Sequence, residues 1–420
     1  MKTKKKLDGG LKKILIFTLF FICSSKNTFG SQILDHETEE FINTIIEDII
    51  DIKNINKKIN FKINNNNEIN AFVDAYNTIY INSGLILHCS DYVALLSVIA
   101  HEIGHIDLNH ISLRTKTIKK NKKFNSLALL SVIAGSTLTQ NPQFLQSSFL
   151  AQATLSNQYI KFSKDQEIEA DLYALETLNL LNTNSTSIIE LLKTIEKKSL
   201  EKGFSKNDQR VSTHPYFEDR ILLIKNYNNN KVKNFDKNLN EKFKFIKAKF
   251  IGYSNNNEVL SDLDEPYKTY AESIKKARNG DLKMSLKTLN EIIKKNSNSF
   301  LFETKADILF SHGYTEEAVK FYKKNLEEYP SNYYAQIRIF ENIDIDSLSY
   351  DEIDQIFQKN KDLLYKYFNN QNVIFKFIEL VQKLDKKEWY QFLNFILSIN
   401  EIEFIDFETK IKYFKESKDK

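Results

Sequence analysis

Glycine, proline, cysteine and tryptophan are scarce in this 420-residue chain, with 10, 4, 2 and 1 copies. So few glycines and prolines exclude a collagen-like or Pro/Gly-rich low-complexity chain. Two cysteines exclude a disulfide-stapled scaffold. The apolar runs at residues 14–23 and 126–138 fall short of the roughly 20 residues that span a bilayer as a helix. There is no large excess of one charge either: 59 Lys and Arg stand against 55 Asp and Glu, a formal +4. Residues 1–30 hold seven Lys and one Asp, so without them the remainder carries −2. The chain offers no case for a nucleic-acid partner.

The N-terminal segment has the layout of an export signal. Lys2, Lys4, Lys5, Lys6, Lys12 and Lys13 form a basic region, residues 14–23 an apolar one, and Thr28-Phe29-Gly30 suits cleavage before Ser31. The expectation is a cleaved signal peptide over 1–30 and a periplasmic protein, with association to the outer membrane as an extension. Cys23 suits a lipid anchor poorly, because Ile22 stands where a small residue is needed. Only Cys89 survives cleavage, which rules out an internal disulfide.

At this length two domains are expected. The expected division is a first domain at 31–230, a Lys/Asn-rich linker at 231–260 and a helical domain at 261–420. Apolar spacing predicts a helix over 37–52. Residues 59–63 and 68–72 read as strands around the Asn64–Asn67 turn, and 78–81 as another, stopped by Asn82-Ser83-Gly84. Asp91 is the expected N-cap of a buried helix running from about residue 92 to 110. Residues 152–181 read as helix. The run at 126–138 reads as a packing helix, or else as a flap or a peripheral membrane contact near the site.

An internal repeat marks the C-terminal part. Gly280-Asp281-Leu282 aligns with Gly313-Tyr314-Thr315, and at the same offset Ser285 meets Ala318, Leu289 meets Tyr322 and Phe300 meets Tyr333. The period is that of a helix-turn-helix unit and resembles the tetratricopeptide repeat over about 265–340. Beyond residue 335 the chain still reads as helical, without a clear repeat; a generic helical domain is the plainer alternative.

The chemistry concentrates in His101-Glu102-Ile103-Gly104-His105. Residues four apart on a helix share a face, so His101 and His105 present two imidazoles to one point, which suits zinc. Glu102 lies beside the first ligand and can act as base toward a water there. Gly104 costs about 1 kcal/mol in a helix relative to Ala and suggests close approach of another backbone. A catalytic site needs a third ligand. Glu167 is the better candidate, with Asp171 one turn later placed to accept the free N–H of a ligand imidazole. Glu169 falls on another part of that helix and reads as solvated. His110 does not fit a metzincin pattern, since Leu108 and Ile111 stand where Gly and His would be required.

Four segments in order resemble the M forty-eight family of zinc metallopeptidases over about residues 35–227. They are Asn70-Ala71-Phe72 with the stretch at 79–85, the His101–His105 helix followed by His110, the stretch at 163–171, and Thr213-His214-Pro215 with Arg220-Ile221. With the export signal in front and helical repeats behind, the chain resembles the BepA-type periplasmic protease-chaperones in particular. The resemblance implies a mainly α fold: a zincin-like domain of helices with a small β-sheet, then an α-solenoid of tetratricopeptide-like repeats. It implies one Zn2+ per chain on His101, His105 and Glu167, and Glu102 as general base. It further implies that His214 donates to the oxyanion, or approaches zinc at rest, with Arg220 in support. Two departures stand out: the family's Gly-rich segment is here residues 73–78, and Lys164 replaces a usual Arg, removing any bidentate contact.

The expected function is an exported zinc endopeptidase acting on unfolded or misassembled envelope proteins. A substrate strand would add to a sheet edge near residues 79–81, and the repeats would hold a client or the outer-membrane assembly machinery. The alternatives are a mostly latent protease serving as an assembly chaperone or adaptor, and a structural zinc protein. Glu102 argues against the last, because a closed structural site needs no base.

Overall fold

The computed structural model describes residues 32–110, 164–202, 217–227, 235–399 (apart from 75, 297 and 369) and 411. The export segment, the run at 126–138 and His214 lie outside the described residues. The chain is mainly α, with a small four-stranded sheet. It divides into two compact units, one of Met1–Ile33 and Asn43–Asn240, the other of Leu34–Ile42 and Glu241–Lys420. Helix α1 (His36–Lys53) gives its first turns to the second unit and the remainder to the first. No helix among the described residues is long and apolar enough to cross a membrane.

In the first unit, β1 (Gln32–Ile33), β2 (Asn60–Asn64), β3 (Ala71–Val73) and β4 (Thr78–Asn82) lie in the order β1-β2-β4-β3. β4 runs parallel to β2 and antiparallel to β3, with Ile63 opposite Ile81 and Phe72 opposite Tyr80. The rings of Phe72 and Tyr80 stack at 5.0 Å across that pair. This order corrects one expectation. Residues 79–81 are central, buried on both faces, and offer no edge. The edge strand that packs on the helix carrying His101 and His105 is β3.

Strand β4 stops at Asn82, as the Asn82-Ser83-Gly84 segment predicts, and the chain enters α2 (Ser83–His88) directly. Gly84 lies against the backbone of Asn67 and Glu68, where a Cβ would collide with the Asn67 carbonyl. After α2 comes α3 (Tyr92–Asp107), capped as expected: the Asp91 side chain accepts from the Ala94 N–H at 3.0 Å. α3 carries the His101–His105 segment and is buried on almost every side, so the motif sits in the core. Around it pack β3, β4, α4 (Lys164–Leu180) and α5 (Thr186–Glu201), and α6 (Phe217–Asn226) packs on α4 and α5.

The second unit begins with α7 (Lys237–Tyr253), in a stretch expected to be linker. Its lysines hide an apolar set, Phe243, Phe245, Ile246, Phe250 and Ile251, that is buried. Five helices follow: α8 (Tyr267–Arg278), α9 (Leu282–Lys295), α10 (Phe300–Ser311), α11 (Thr315–Glu328) and α12 (Tyr333–Glu341). Tyr267, Phe300 and Tyr333 open α8, α10 and α12 at a spacing of 33 residues. Gly280 and Gly313 turn the two hairpins with φ of 89° and 84°, a region where a side chain is strained. The aligned positions Ser285, Ala318, Leu289 and Tyr322 are all fully buried. Then α13 (Tyr350–Lys359), α14 (Lys361–Lys366), α15 (Gln371–Lys383) and α16 (Lys387–Ile399) enclose a core around Phe357, Leu364 and Phe377.

Residues 34–42 belong with this unit through a buried ion cluster. Lys249 Nζ lies 2.6 Å from Asp35 Oδ2 and 2.7 Å from Glu37 Oε2. Burial pushes the Lys249 ammonium down, but the two carboxylates outweigh it and hold it well above its usual value.

Gly84→Ala is expected to lower the unfolding free energy by about 2–3 kcal/mol, because the obstructing atoms are backbone and cannot swing aside. Urea unfolding of the full chain measures this.

Candidate metal centre and active site

The crossing of α3 and α4 sets the site. Gly104 on α3 faces Tyr173 on α4, where a Cβ would stand 3.1 Å from the Tyr173 Cβ. The close approach expected at this glycine is therefore to a side chain rather than a backbone. Tyr173 is held in place: its hydroxyl donates to Asp107 at 3.2 Å, and Lys53 Nζ lies 4.2 Å from its ring centre.

With the helices this close, His101, His105 and Glu167 converge, all three buried. His105 Nε2 is 3.1 Å from His101 Nε2, and the Glu167 oxygens lie 3.5 Å from His101 Nε2 and 3.7 Å from His105 Nε2. A tetrahedral ion with arms of about 2.0–2.2 Å has donor–donor edges of about 3.3–3.6 Å. Two imidazoles and a carboxylate at these separations fit such an ion in chemistry and in size.

The other nitrogen of His101 is fixed. Its Nδ1 is 2.9 Å from Asp171 Oδ1, donating the proton that leaves Nε2 free for a metal. Arg220 from α6 clamps Asp171, donating from Nε to Oδ2 at 2.7 Å and from Nη2 to Oδ1 at 2.8 Å. Arg220 Nη1 also lies 3.7 Å from Glu167 Oε2. Burial pushes the Asp171 carboxyl up, but the guanidinium and His101 overcome it and bring it to about 2. For His101, burial and Arg220 push the imidazole down, and hydrogen bonds to Asp171 and Glu167 reverse this and raise it. At the start of α4, Lys164 Nζ pairs with Asp219 on α6 at 2.7 Å, both partly exposed.

Glu102 is buried beside His101 and lines a cleft with His101, Asp171 and Arg220. The rest of that cleft is mainly apolar, from Val98 on α3, Leu175 on α4, and Ile188, Leu191 and Ile195 on α5. Ala71, at the start of edge strand β3, closes one side. Ionisable side chains thus face an apolar slot beside β3, which lies at an edge of the sheet among the described residues.

Sequence reasoning missed two residues. His110 is buried, and its Nδ1 lies 2.9 Å from His105 Nδ1. Glu169, expected to be solvated, is 59% exposed, yet its Oε2 stands 2.9 Å from His110 Nε2. Burial pushes the His110 imidazole below its usual value, against the pull of Glu169. On an unbroken helix, a residue five after His105 would face away from it. The fold instead ends α3 at Asp107 and sets Asn109 at a φ of 61°, turning the chain back. The one sequence signal was an asparagine suited to that turn just before a histidine.

Two results follow from the Asp171–Arg220 pair. Asp171→Ala takes from the buried Arg220 charge its main partner, with an expected loss of about 3–5 kcal/mol in unfolding free energy. Because the folded carboxyl titrates near 2, below its ordinary 3.8, its contribution is complete above about pH 4. It is lost as pH falls toward 2. Stability measured between pH 4 and 2 should therefore fall less steeply in Asp171→Asn than in the parent.

Residues 36–228 match Peptidase family M48. The "Beta-barrel assembly-enhancing protease" of Yersinia pestis is 23% identical over 223 residues, covering 52% of this chain and 45% of the relative. The protein of that name in Escherichia coli (strain K12) is 24% identical over 231 residues, covering 53% and 46%. "Metalloprotease LoiP" of the same strain is 29% identical over 174 residues, covering 41% and 64%. The matched stretch thus spans about half the length of the two assembly-enhancing proteases. The two histidines and the glutamate of the motif helix and α4, drawn to one buried point, lie within the residues 36–228 that match Peptidase family M48.

Proposed function

We propose that this chain is an exported zinc endopeptidase, with a catalytic domain at 31–230 and a tetratricopeptide-like helical domain after residue 260. The observation that carries it is the buried His101–His105–Glu167 set beside Glu102 in an apolar cleft. His101, His105 and Glu167 would hold one Zn2+, which supplies Lewis acidity toward a peptide carbonyl and lowers the pKa of a water.

The chain's own residues do the rest. An extended substrate adds to the β3 edge, its backbone hydrogen bonds setting direction and register. The apolar wall of α5 receives an apolar side chain near the scissile bond. Glu102 takes a proton from the attacking water and returns it to the leaving amine. Asp171 and Arg220 keep the His101 ring oriented through both steps. His214 is assigned to the oxyanion by family resemblance.

Unfolded or misassembled outer-membrane proteins are the proposed substrates, and the periplasm the proposed compartment. Two things support this: the export-like layout of residues 1–30, and the name shared by the assembly-enhancing proteases. The repeating hairpins of the second unit favour a role in holding clients or assembly machinery. They also support the second reading, a mostly latent protease acting as an assembly chaperone.

Glu102→Gln should lower kcat/KM on an unfolded β-barrel protein by about 10²–10⁴-fold, while leaving zinc content near one per chain. Protein without cleavage in either form, but with equal suppression of barrel aggregation, would favour the chaperone reading instead. Glu167→Ala should remove most bound zinc, as read by metal analysis after dialysis; unchanged content would show that the third ligand lies elsewhere.

A further inference from the structure

We propose that His110 and Glu169 form a second positioning relay, holding the His105 imidazole as Asp171 and Arg220 hold that of His101. The inference rests on the metal reading above and concerns only this chain's own side chains.

The geometry assigns each proton. His105 turns Nε2 toward His101 and Glu167, and its opposite nitrogen, Nδ1, faces His110 Nδ1 at 2.9 Å. A nitrogen–nitrogen contact this short needs one donor and one acceptor. A ligand imidazole that offers Nε2 to an ion keeps its hydrogen on Nδ1, so His105 donates and His110 accepts. His110 then carries its own hydrogen on Nε2 and donates to Glu169 Oε2 at 2.9 Å. The two rings meet edge to face, at 66° and 5.1 Å between centres. Because His110 meets the far side of the His105 ring, it cannot be a further ligand in this arrangement.

The placement is built by the backbone. The Leu108 N–H donates to the Gly104 carbonyl at 3.0 Å and the Asn109 N–H to Ile106 at 3.1 Å, closing the helix end. Asn109 then takes its left-handed conformation and returns His110 to His105. Lys57 Nζ fixes this end, donating to the carbonyls of Ile106 at 2.7 Å and Asp107 at 2.8 Å, and to Asn109 Oδ1 at 3.1 Å. A ligand imidazole without such a partner can rotate or adopt the wrong tautomer, which typically weakens metal binding by 10–100-fold.

The test compares full-length parent, His110→Phe, His110→Gln and Glu169→Ala. Zinc dissociation constants are read by competition with a chromogenic chelator, and the site by the visible spectrum of the cobalt(II)-loaded protein. Circular dichroism of the metal-free forms checks the fold. His110→Phe should weaken zinc by about 10–100-fold and shift the cobalt bands, with an unchanged metal-free fold. His110→Gln, which keeps a donor and an acceptor, should recover part of both; Glu169→Ala should weaken zinc in the same direction but less. Parent-like affinity and spectrum in folded His110→Phe would overturn the relay. If His110→Phe does not fold, Glu169→Ala decides, since its side chain is more than half exposed, and parent-like affinity there would overturn it too. A parent that takes up no zinc would overturn the metal reading itself, and the relay with it.

Discussion

Charge that has left water must be matched by charge, and the Asp171–Arg220 pair is where this fold meets that demand. Asp171 sits in the interior because α4 crosses α3 closely enough for its carboxylate to reach His101. It stays ionised there because Arg220 grips both its oxygens. Arg220, in turn, can be buried only because α6 packs on α4 with its guanidinium facing Asp171 and Glu167. The position of three helices is thus tied to two hydrogen bonds about 2.7–2.8 Å long.

The approach that allows this is a matter of volume. Gly104 leaves room for Tyr173, and Tyr173 is pinned between Asp107 and Lys53. A larger residue on either side would part α3 from α4 and widen the gap between the two histidines and Glu167. The ligand spacing therefore depends on packing one helical turn away as much as on the ligands themselves. The sheet plays a simpler part. Among the described residues, it places β4 in the interior and β3 at an edge beside the cleft.

Local periodicity made much of this legible in the sequence. The His101–His105 pair and the Glu167–Asp171 pair follow from residues four apart sharing a helical face. Asp91 as a cap and the hairpin glycines 280 and 313 follow from side-chain and backbone chemistry within a few residues. What was missed is nonlocal or masked by composition. Strand order depends on pairing between segments separated in sequence, so residues 79–81 read as an edge when they are central. His110 fits no metzincin pattern, and a helix expected to run to about residue 110 gave no sign that Asn109 reverses the chain. Helix α7 was hidden by lysines whose stems tolerate burial beside phenylalanines. Arg220 carried no pattern of its own; only the crossing of α4 and α6 gives it a partner.

The formal charges at the site supply a last physical constraint. Among the described residues lining or forming it, Glu102, Glu167 and Asp171 bring three carboxyl side chains, and Arg220 brings one guanidinium. Carboxylates buried between helices are costly unless positive charge offsets them. Neutral imidazoles cannot supply it, and a proton on Nε2 of His101 or His105 would occupy the lone pair that a metal ion needs. Among the described residues, a cation held by His101, His105 and Glu167 would lie against these carboxylates and offset their charge. The same account explains why the two histidines need different supports. His101 faces the carboxylate side, where a charged clamp is already present. His105 faces away from it, where a neutral imidazole can pass the demand on to Glu169 at the surface without burying a further charge.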